Sequence, residues 1–450
     1  MPLKYSVVTF GCRVNQADSL GFEEDFLARG GVAAAPESAD VVVVNTCSVT
    51  ASADQAARQT VRRIARVNPF AKIVVTGCYA TRRPDEVRDL PGVIRLVPND
   101  DKPTLVAGLP LDVVRGVRLQ PDLSTAERFG HGEGSCGAAI EPGVAGRTAF
   151  TLRVQTGCAE PCSYCIIPAT RGRPRSVPLG DVLAEVERVR LAGFKEIALT
   201  GVHLGSYGRD LSPHSSLIDL LRELAAFSRA RESAIEGAGV RSVRLQPDLL
   251  FRISSLEPMD CTGDVVDLVA TSACFAPHFH LPLQHASNKV LAAMRRPYTL
   301  EQYASLVDNI RARLPHAAIG SDIIIGFPGE TDEDFDELAS YLESSPLTHL
   351  HVFPYSDRPG TEASTLGGRA HGSVVRAHAR RVRDIGQQLA AAFRRSQVGT
   401  VHRGLTLEDG SLAVTGNYLK VRVPPGRARN EWVDVTITGA DPLVGDIALP

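Results

Sequence analysis

No stretch of this 450-residue chain approaches the roughly 20 uninterrupted apolar residues that a membrane-spanning helix needs. The opening MPLKYSVVTFGC runs straight into a strand-like pattern, without the long apolar core and small-residue cleavage site of a signal peptide. A cytoplasmic protein with no membrane partner is therefore expected. Excess charge is also missing: 49 Lys and Arg face 51 Asp and Glu, a net charge of -2. That balance excludes a protein basic throughout and leaves room only for local basic patches. The nine cysteines are an odd number, and in a reducing compartment clustered cysteines read as metal ligands or catalytic thiols rather than disulfides. What is present, 44% hydrophobic and 22% charged residues over this length, suits two or three domains with proper cores.

The first hundred residues alternate strand and helix signals, with strand-like runs at 6–10, 40–44, 72–76 and 93–97 and helical patterns at 18–29, 54–67 and 84–89. Continuous apolar strands separated by helices imply a doubly wound parallel α/β domain over residues 1–108. Residues 109–147 are rich in Gly, Pro and charge and read as a linker, with one strand expected near 111–114. Six further strand–helix units over 148–395 suggest a barrel or partial (β/α) barrel. An arginine-rich helical stretch follows Gly367, and short alternating runs between Gly and Pro turns over 396–450 predict a small all-β domain. The heptapeptide VRLQPDL occurs at 117–123 and again at 243–249 with unrelated flanks; without a repeat period, both copies read as surface loop segments with no catalytic role.

Chemistry concentrates in RVQTGCAEPCSYCIIPATRGRPR, where Cys158, Cys162 and Cys165 stand in a CxxxCxxC spacing directly after a strand. Three thiolates on one loop can ligate three irons of a 4Fe-4S cube and leave the fourth iron open to a substrate's amino and carboxylate groups. A zinc site would want four protein ligands and often two CxxC pairs, and the chain has no second CxxC. Cys12, Cys47 and Cys78 each end a strand-like run, in VVTFGC, VVVVNTC and IVVTGC. In an open parallel sheet, ligands gather outside the carboxyl ends of the strands, so these three predict a second thiolate cluster. The alternative is three buried thiols serving as small apolar residues.

The CxxxCxxC loop, with Tyr164 before its last cysteine, resembles the radical-SAM signature, and GCRVNQAD, NTCSVTASADQAARQ and TGCYA resemble the N-terminal domain of radical-SAM methylthiotransferases. The resemblance spans nearly the whole chain. It implies that Cys158, Cys162 and Cys165 hold the 4Fe-4S cluster that binds S-adenosylmethionine and cleaves it reductively to a 5′-deoxyadenosyl radical. It further implies that Cys12, Cys47 and Cys78 hold an auxiliary 4Fe-4S cluster that delivers the methylthio group. Ala159 stands where close relatives carry Asn or Asp, and His285 where they carry Ser; neither is an expected cluster ligand.

Strand-end segments at 200–208, 252–257, 281–284 and 324–330 would line the S-adenosylmethionine pocket, which nominates Tyr164, Gly201, Ser255, Glu257, Gln284 and Gly326 as cofactor contacts; ordinary turn chemistry is the competing reading for each. No side chain beyond the cluster ligands is expected to be catalytic. Cys136, Cys261 and Cys274 match no family ligand and read as core or simply exposed thiols. Three branches compete: isopentenyladenosine in tRNA, N6-threonylcarbamoyladenosine in tRNA, and an aspartate of a ribosomal protein. GCRVNQ, NTCSVT, LTGVHLGSYGRD, MRRPYT and HVFPYSDRPGT resemble the threonylcarbamoyl branch, whereas the isopentenyl branch more typically opens GCQMN. By the same resemblance the tail is a TRAM domain for tRNA, the partners are the tRNA anticodon loop and an electron donor such as a flavodoxin, and the tail's own aromatics reduce to Tyr418 and Trp432. The reading from another class is a non-catalytic, metal-stabilised RNA-binding protein.

Overall fold

Four apolar runs supply all but one edge strand of a parallel sheet that is covered on both faces. The computed structural model describes residues 2–109, 148–237 and 247–447. The strand expected near 111–114, Cys136 and the first VRLQPDL copy lie outside the described residues. The first unit runs β1 (Lys4–Thr9), α1 (Arg13–Ala28), β2 (Val32–Ala33), β3 (Val41–Thr46), α2 (Ala51–Val67), β4 (Lys72–Gly77), α3 (Cys78–Arg82), α4 (Pro84–Arg88) and β5 (Val93–Val97). Its sheet has the order β2-β1-β3-β4-β5, parallel throughout. Every residue of β3 is buried. Val42 and Val44 pack with Val61 and Ile64 of α2, while Val41 and Val43 pack with Phe22 and Phe26 of α1. Helix α1 begins at Arg13 rather than near 18, because its first turns bury the polar Asn15, Asp18 and Ser19, which interrupt the apolar stripe.

The second unit comprises β6 (Ala149–Arg153), β7 (Gln155–Thr156), α5 (Ile167–Arg171), β8 (Arg175–Ser176), α6 (Leu179–Leu191), β9 (Glu196–Thr200), α7 (Leu217–Gly237), β10 (Leu250–Ile253), α8 (Gly263–Thr271), β11 (His278–His280), α9 (Asn288–Ala293), α10 (Leu300–Arg313), β12 (Ala318–Ile325), α11 (Asp332–Ser344), β13 (His349–Pro354) and α12 (Gly372–Ser396). Capping boxes at Thr299/Gln302 and Thr331/Asp334 start α10 and α11. Two parallel sheets, β6-β9-β10 and β11-β12-β13, join through a Phe251–Phe275 bridge and the Leu256 N–H bond to the His280 carbonyl. The six strands form a partial barrel around one core. Cys261 and Cys274 are buried in it, as expected of non-ligand thiols.

Strands β14 (Val401–Leu407), β15 (Leu412–Thr415), β16 (Lys420–Arg422), β17 (Trp432–Ala440) and β18 (Leu443–Ile447) close a small barrel. Arg252 of β10, fully buried, ties it to the partial barrel: Nε donates to Glu196 at 2.7 Å and Nη1 to the Gly416 carbonyl at 2.8 Å. The second VRLQPDL copy is not wholly a surface loop. Leu249 enters the core, the Pro247 carbonyl accepts from Arg403, and the Asp248 carbonyl accepts from Trp432. Tertiary contacts recruit the end of the segment because it leads directly into β10.

Candidate active site

The chain leaves β1 for the β2 edge and then crosses to β3 on the other side, so the order reverses between β1 and β3. That switch point is where an open parallel sheet presents ligand-binding residues. Cys12 follows β1, Cys47 follows β3 and Cys78 opens α3 after β4. Gly11, at φ +90°, permits the close approach: a Cβ there would lie 2.6 Å from Cys47 Sγ. Burial pushes the Cys47 thiol up to about 11, helped by the proximity of Cys12 and Cys78, while the Val49 N–H donates to its sulfur at 3.5 Å. Cys78 is buried too, but Arg171 and Lys102 outweigh that penalty and hold its thiol below the ordinary value.

The second trio sits on the loop between β7 and α5. Burial raises Cys158 to about 11 and Cys165 to about 12, the latter also through Cys162 and Cys158. The Glu160 N–H donates to Cys158 Sγ at 3.4 Å, and Arg296 Nη1 donates to Cys162 Sγ at 3.1 Å. The other arm of Arg296 pairs with Glu257. Both trios fit the donor set of a cluster: three thiols within electrostatic reach of one another, a backbone amide aimed at a sulfur, and buried cations to balance thiolate charge. Thiols held protonated by burial release protons when metal binds.

The single turn α5 links the trios, starting just past Cys165 and delivering Arg171 to Cys78. Arg171, Lys102 (Nζ, 2.6 Å) and Arg153 (Nη1, 2.6 Å) all converge on Asp18. Burial alone would push that carboxyl up, but the three cations hold it well below the usual carboxylate range. Asp54 does similar work nearby, accepting from Arg82 at 2.5 Å and from Arg358 Nη1 at 2.8 Å, the latter beyond β13.

All three units open on one cavity of about 1210 Å³. Cys12, Arg13 and Cys47 form one wall, Gly201 and Ser255 come from barrel strand ends, and Tyr418 comes from the small barrel. Its floor carries His278 and His280 of β11, His349 and His351 of β13, and Asp322 of β12 between them. Asp322 Oδ1 lies 3.1 Å from both His280 Nε2 and His351 Nδ1. Despite burial, these imidazoles hold Asp322 down at about 2, and Asp322 in turn raises His351. Asp322 hydrogen-bonds His351, whereas His280 Nε2, though at ion-pair distance from Asp322, has no hydrogen-bond partner among the described residues.

The radical SAM superfamily model matches residues 152–342, and the model described as Uncharacterized protein family UPF0004 matches residues 4–98. The chain is 33% identical to the threonylcarbamoyladenosine tRNA methylthiotransferase MtaB of Aquifex aeolicus, covering 93% of this chain and 96% of the relative. It is also 33% identical to the Bacillus subtilis protein of the same name, covering 92% and 88%. The chain belongs to the radical-SAM methylthiotransferase family. The tRNA-2-methylthio-N(6)-dimethylallyladenosine synthase of Corynebacterium glutamicum (strain R), another relative, is 33% identical, covering 98% of this chain and 84% of the relative. Among solved structures, the radical S-adenosylmethionine methyltransferase TsrM from Kitasatospora setae, with tryptophan and a SAM analogue bound, superposes at TM-score 0.53 and 17% identity over 81% of this chain and 75% of that one; the likeness is one of fold.

As a radical-SAM methylthiotransferase, the chain uses S-adenosylmethionine and a 4Fe-4S cluster. The residues nominated for cofactor contact divide into two groups. Gly201 and Ser255 line the cavity, Ser255 Oγ lying 2.8 Å from His280 Nδ1, and Glu257 approaches Cys162 through Arg296. Tyr164 packs edge-on against Phe327, Gln284 holds a left-handed backbone (φ +69°) beside β12, and the Gly326 N–H donates to Glu330 at 2.7 Å. These last three, like Glu257, are not among the residues that line the cavity. Arg171, Arg296 and Asp18 were not singled out from sequence. Arg171 and Asp18 lie in cysteine-bearing words and Arg296 in MRRPYT, but the partners that give them a role, Asp18 for Arg171 and Cys162 for Arg296, lie more than a hundred residues away.

Glu330 offers a pH test. Burial raises its carboxyl to about 7 despite amides donated by Gly326 and Phe327; His285 Nε2, 3.6 Å away, stays neutral because burial lowers it to about 4. A raised folded-state value means stability is greatest below the unfolded value near 4.5 and falls as pH rises toward 7. Glu330→Gln lacks this loss, so its melting temperature relative to wild-type apoprotein is expected to rise between pH 5 and pH 8. A difference independent of pH would contradict the assignment.

Proposed function

We propose that the chain converts N6-threonylcarbamoyladenosine at tRNA position 37, in the anticodon loop, to its 2-methylthio derivative. The observation that carries this reading is the shared cavity, with Cys12 and Cys47 on one wall facing barrel strand ends on the other. Relatives named for the threonylcarbamoyl nucleoside, 33% identical over nearly their whole length, support the choice of substrate.

On this reading residues 1–108 carry the second 4Fe-4S cluster on Cys12, Cys47 and Cys78. Residues 148–395, reached through the linker at 109–147, carry the first on Cys158, Cys162 and Cys165. S-adenosylmethionine contacts Gly201, Ser255 and Glu257, with Tyr164, Gln284 and Gly326 shaping the pocket behind them. The TRAM-like 396–450 unit and the basic face of α12 hold tRNA, with Arg394 and Lys420 at the cavity rim available to phosphates. When bound, the two clusters and S-adenosylmethionine supply one-electron cleavage chemistry and the methylthio group. The protein's part is positional. Arg296 fixes Cys162 and Glu257 together, and α5 fixes one trio against the other. A base seated in this half-open cavity would displace water from around the reacting carbon. The base must leave its stack to enter, which suits a single-stranded loop. No side chain need act as general base. A cytoplasmic location and reduction by a flavodoxin-like donor complete the proposal.

Expression in a methylthiotransferase-deficient host, followed by mass spectrometry of tRNA nucleosides, tests it. The 2-methylthio form of threonylcarbamoyladenosine is expected. Its absence beside a methylthiolated isopentenyl nucleoside would move the chain to the dimethylallyl branch.

A further inference from the structure

Four buried arginines near the site each have a carboxylate: Arg171 has Asp18, Arg296 has Glu257, Arg252 has Glu196 and Arg358 has Asp54. Arg13 differs. It follows Cys12, lines the cavity and is half-buried, yet among the described residues its side chain reaches only neutral hydroxyls: Ser254 Oγ at 3.5 Å and Tyr418 OH at 3.1 Å. Of the cavity's two carboxylates, Asp322 is engaged by His280 and His351, and neither it nor Asp441 pairs with Arg13. A guanidinium cannot shed its charge, so a half-buried one lining a cavity favours an anion there.

Tyr418 is held at this place against its own preference. Its backbone is left-handed (φ +67°), a conformation that bulky residues seldom adopt. The turn is pinned by Asn417, buried, whose Nδ2 donates to the His316 carbonyl at 2.9 Å, and by the Tyr418 N–H bond to the Thr415 carbonyl at 2.9 Å. The ring lies 4.6 Å from Arg252 and 5.1 Å from His278, while the residue remains 44% exposed. Strain maintained by surrounding structure is characteristic of functional positions. Because the phenol oxygen accepts from Arg13, its own proton is free to be donated to a ligand.

We propose that Arg13 and Tyr418, from the first and last units of the chain, form a carboxylate-binding subsite for the acid group of the threonylcarbamoyl substituent; the inference rests on the substrate reading above. Carbons 2 and 6 of adenine flank the same ring nitrogen, so a substituent on N6 lies along the edge that presents carbon 2. Its acid group therefore belongs beside Cys12 rather than across the cavity. The planar fork of Arg13 and the phenol proton together suit a carboxylate. A dimethylallyl group in the same place would strip water from the guanidinium and return nothing, so the subsite also selects between branches.

The test measures binding of anticodon stem-loop RNA to the cluster-reconstituted full chain by fluorescence anisotropy. Two RNAs are compared, one carrying threonylcarbamoyladenosine and one its methyl ester, which lacks the negative charge of the acid group and adds one methyl. Wild type is expected to prefer the acid by about ten- to a hundredfold, the range of a hydrogen bond to a charged group. Arg13→Gln should bind both alike, Arg13→Lys should restore part of the preference, and Tyr418→Phe, which keeps the ring packing, should reduce it severalfold. A general folding or cluster defect lowers both affinities together and leaves their ratio unchanged. Retention of the full preference by both Arg13→Gln and Tyr418→Phe overturns the subsite, as does a wild-type protein indifferent to esterification. If wild type makes methylthio product only from the isopentenyl nucleoside, the substrate reading has failed first.

Discussion

Cys162→Ala is expected to abolish reductive cleavage of S-adenosylmethionine, whereas Cys47→Ala should leave cleavage intact and lose the methylthiolated nucleoside. The difference follows from where the two thiols sit. Cys162 belongs to the trio that Arg296 ties to Glu257, and Cys47 to the trio at the switch point of the N-terminal sheet. On the proposed assignment each trio supplies three ligands, so loss of one thiol would leave too few to hold its cluster. Reconstituted Cys47→Ala should therefore carry about four irons per chain where wild type carries about eight. It should still release 5′-deoxyadenosine when reduced with S-adenosylmethionine. A Cys47→Ala protein with full iron content and full product would remove the second cluster from the assignment.

The largest structural effect is expected at Asp18. Its carboxylate has no exposed surface and is surrounded by Lys102, Arg153 and Arg171, which come from three separate segments. Asp18→Ala removes the buried carboxylate on which Lys102, Arg153 and Arg171 converge and leaves their charges crowded together. Breaking a buried pair by removing one partner costs about 3–5 kcal/mol, and a shared carboxylate belongs at the upper end of that range. Because Arg171 also bonds Cys78, the damage should reach the auxiliary trio, with cluster loading falling in parallel. Chemical denaturation of the apoprotein measures the first effect and iron content the second. A loss under about 1 kcal/mol would show that the cations have other outlets. The pH dependence has a definite sign. Asp18 titrates lower in the folded state, so its contribution is present above the ordinary value of about 4 and fades as pH falls. The gap between wild type and Asp18→Asn should narrow in acid.

These effects separate what could be read along the chain from what could not. Alternation of apolar runs and helices sufficed for the parallel sheet, the six-unit partial barrel and the β tail, because the period of burial is written locally in residues such as Val41, Val42, Val43 and Val44. The CxxxCxxC spacing and the three strand-end cysteines were equally visible, since a thiol's place at the end of a strand needs no knowledge of its partners. Helix α1 was legible only in part, because Asn15, Asp18 and Ser19 are polar residues buried for reasons that lie elsewhere in the chain.

Family and fold class could be read along the chain, and so could the positions of the six thiols at the ends of their strands. The tertiary structure alone decided what surrounds them. Arg171 meets Asp18 across 153 residues and Arg13 meets Tyr418 across 405. Whether a charged residue is a solvated surface group, a buried counter-charge or a waiting ligand depends on the other charges within a few ångströms, and those distances exist only once the chain has folded.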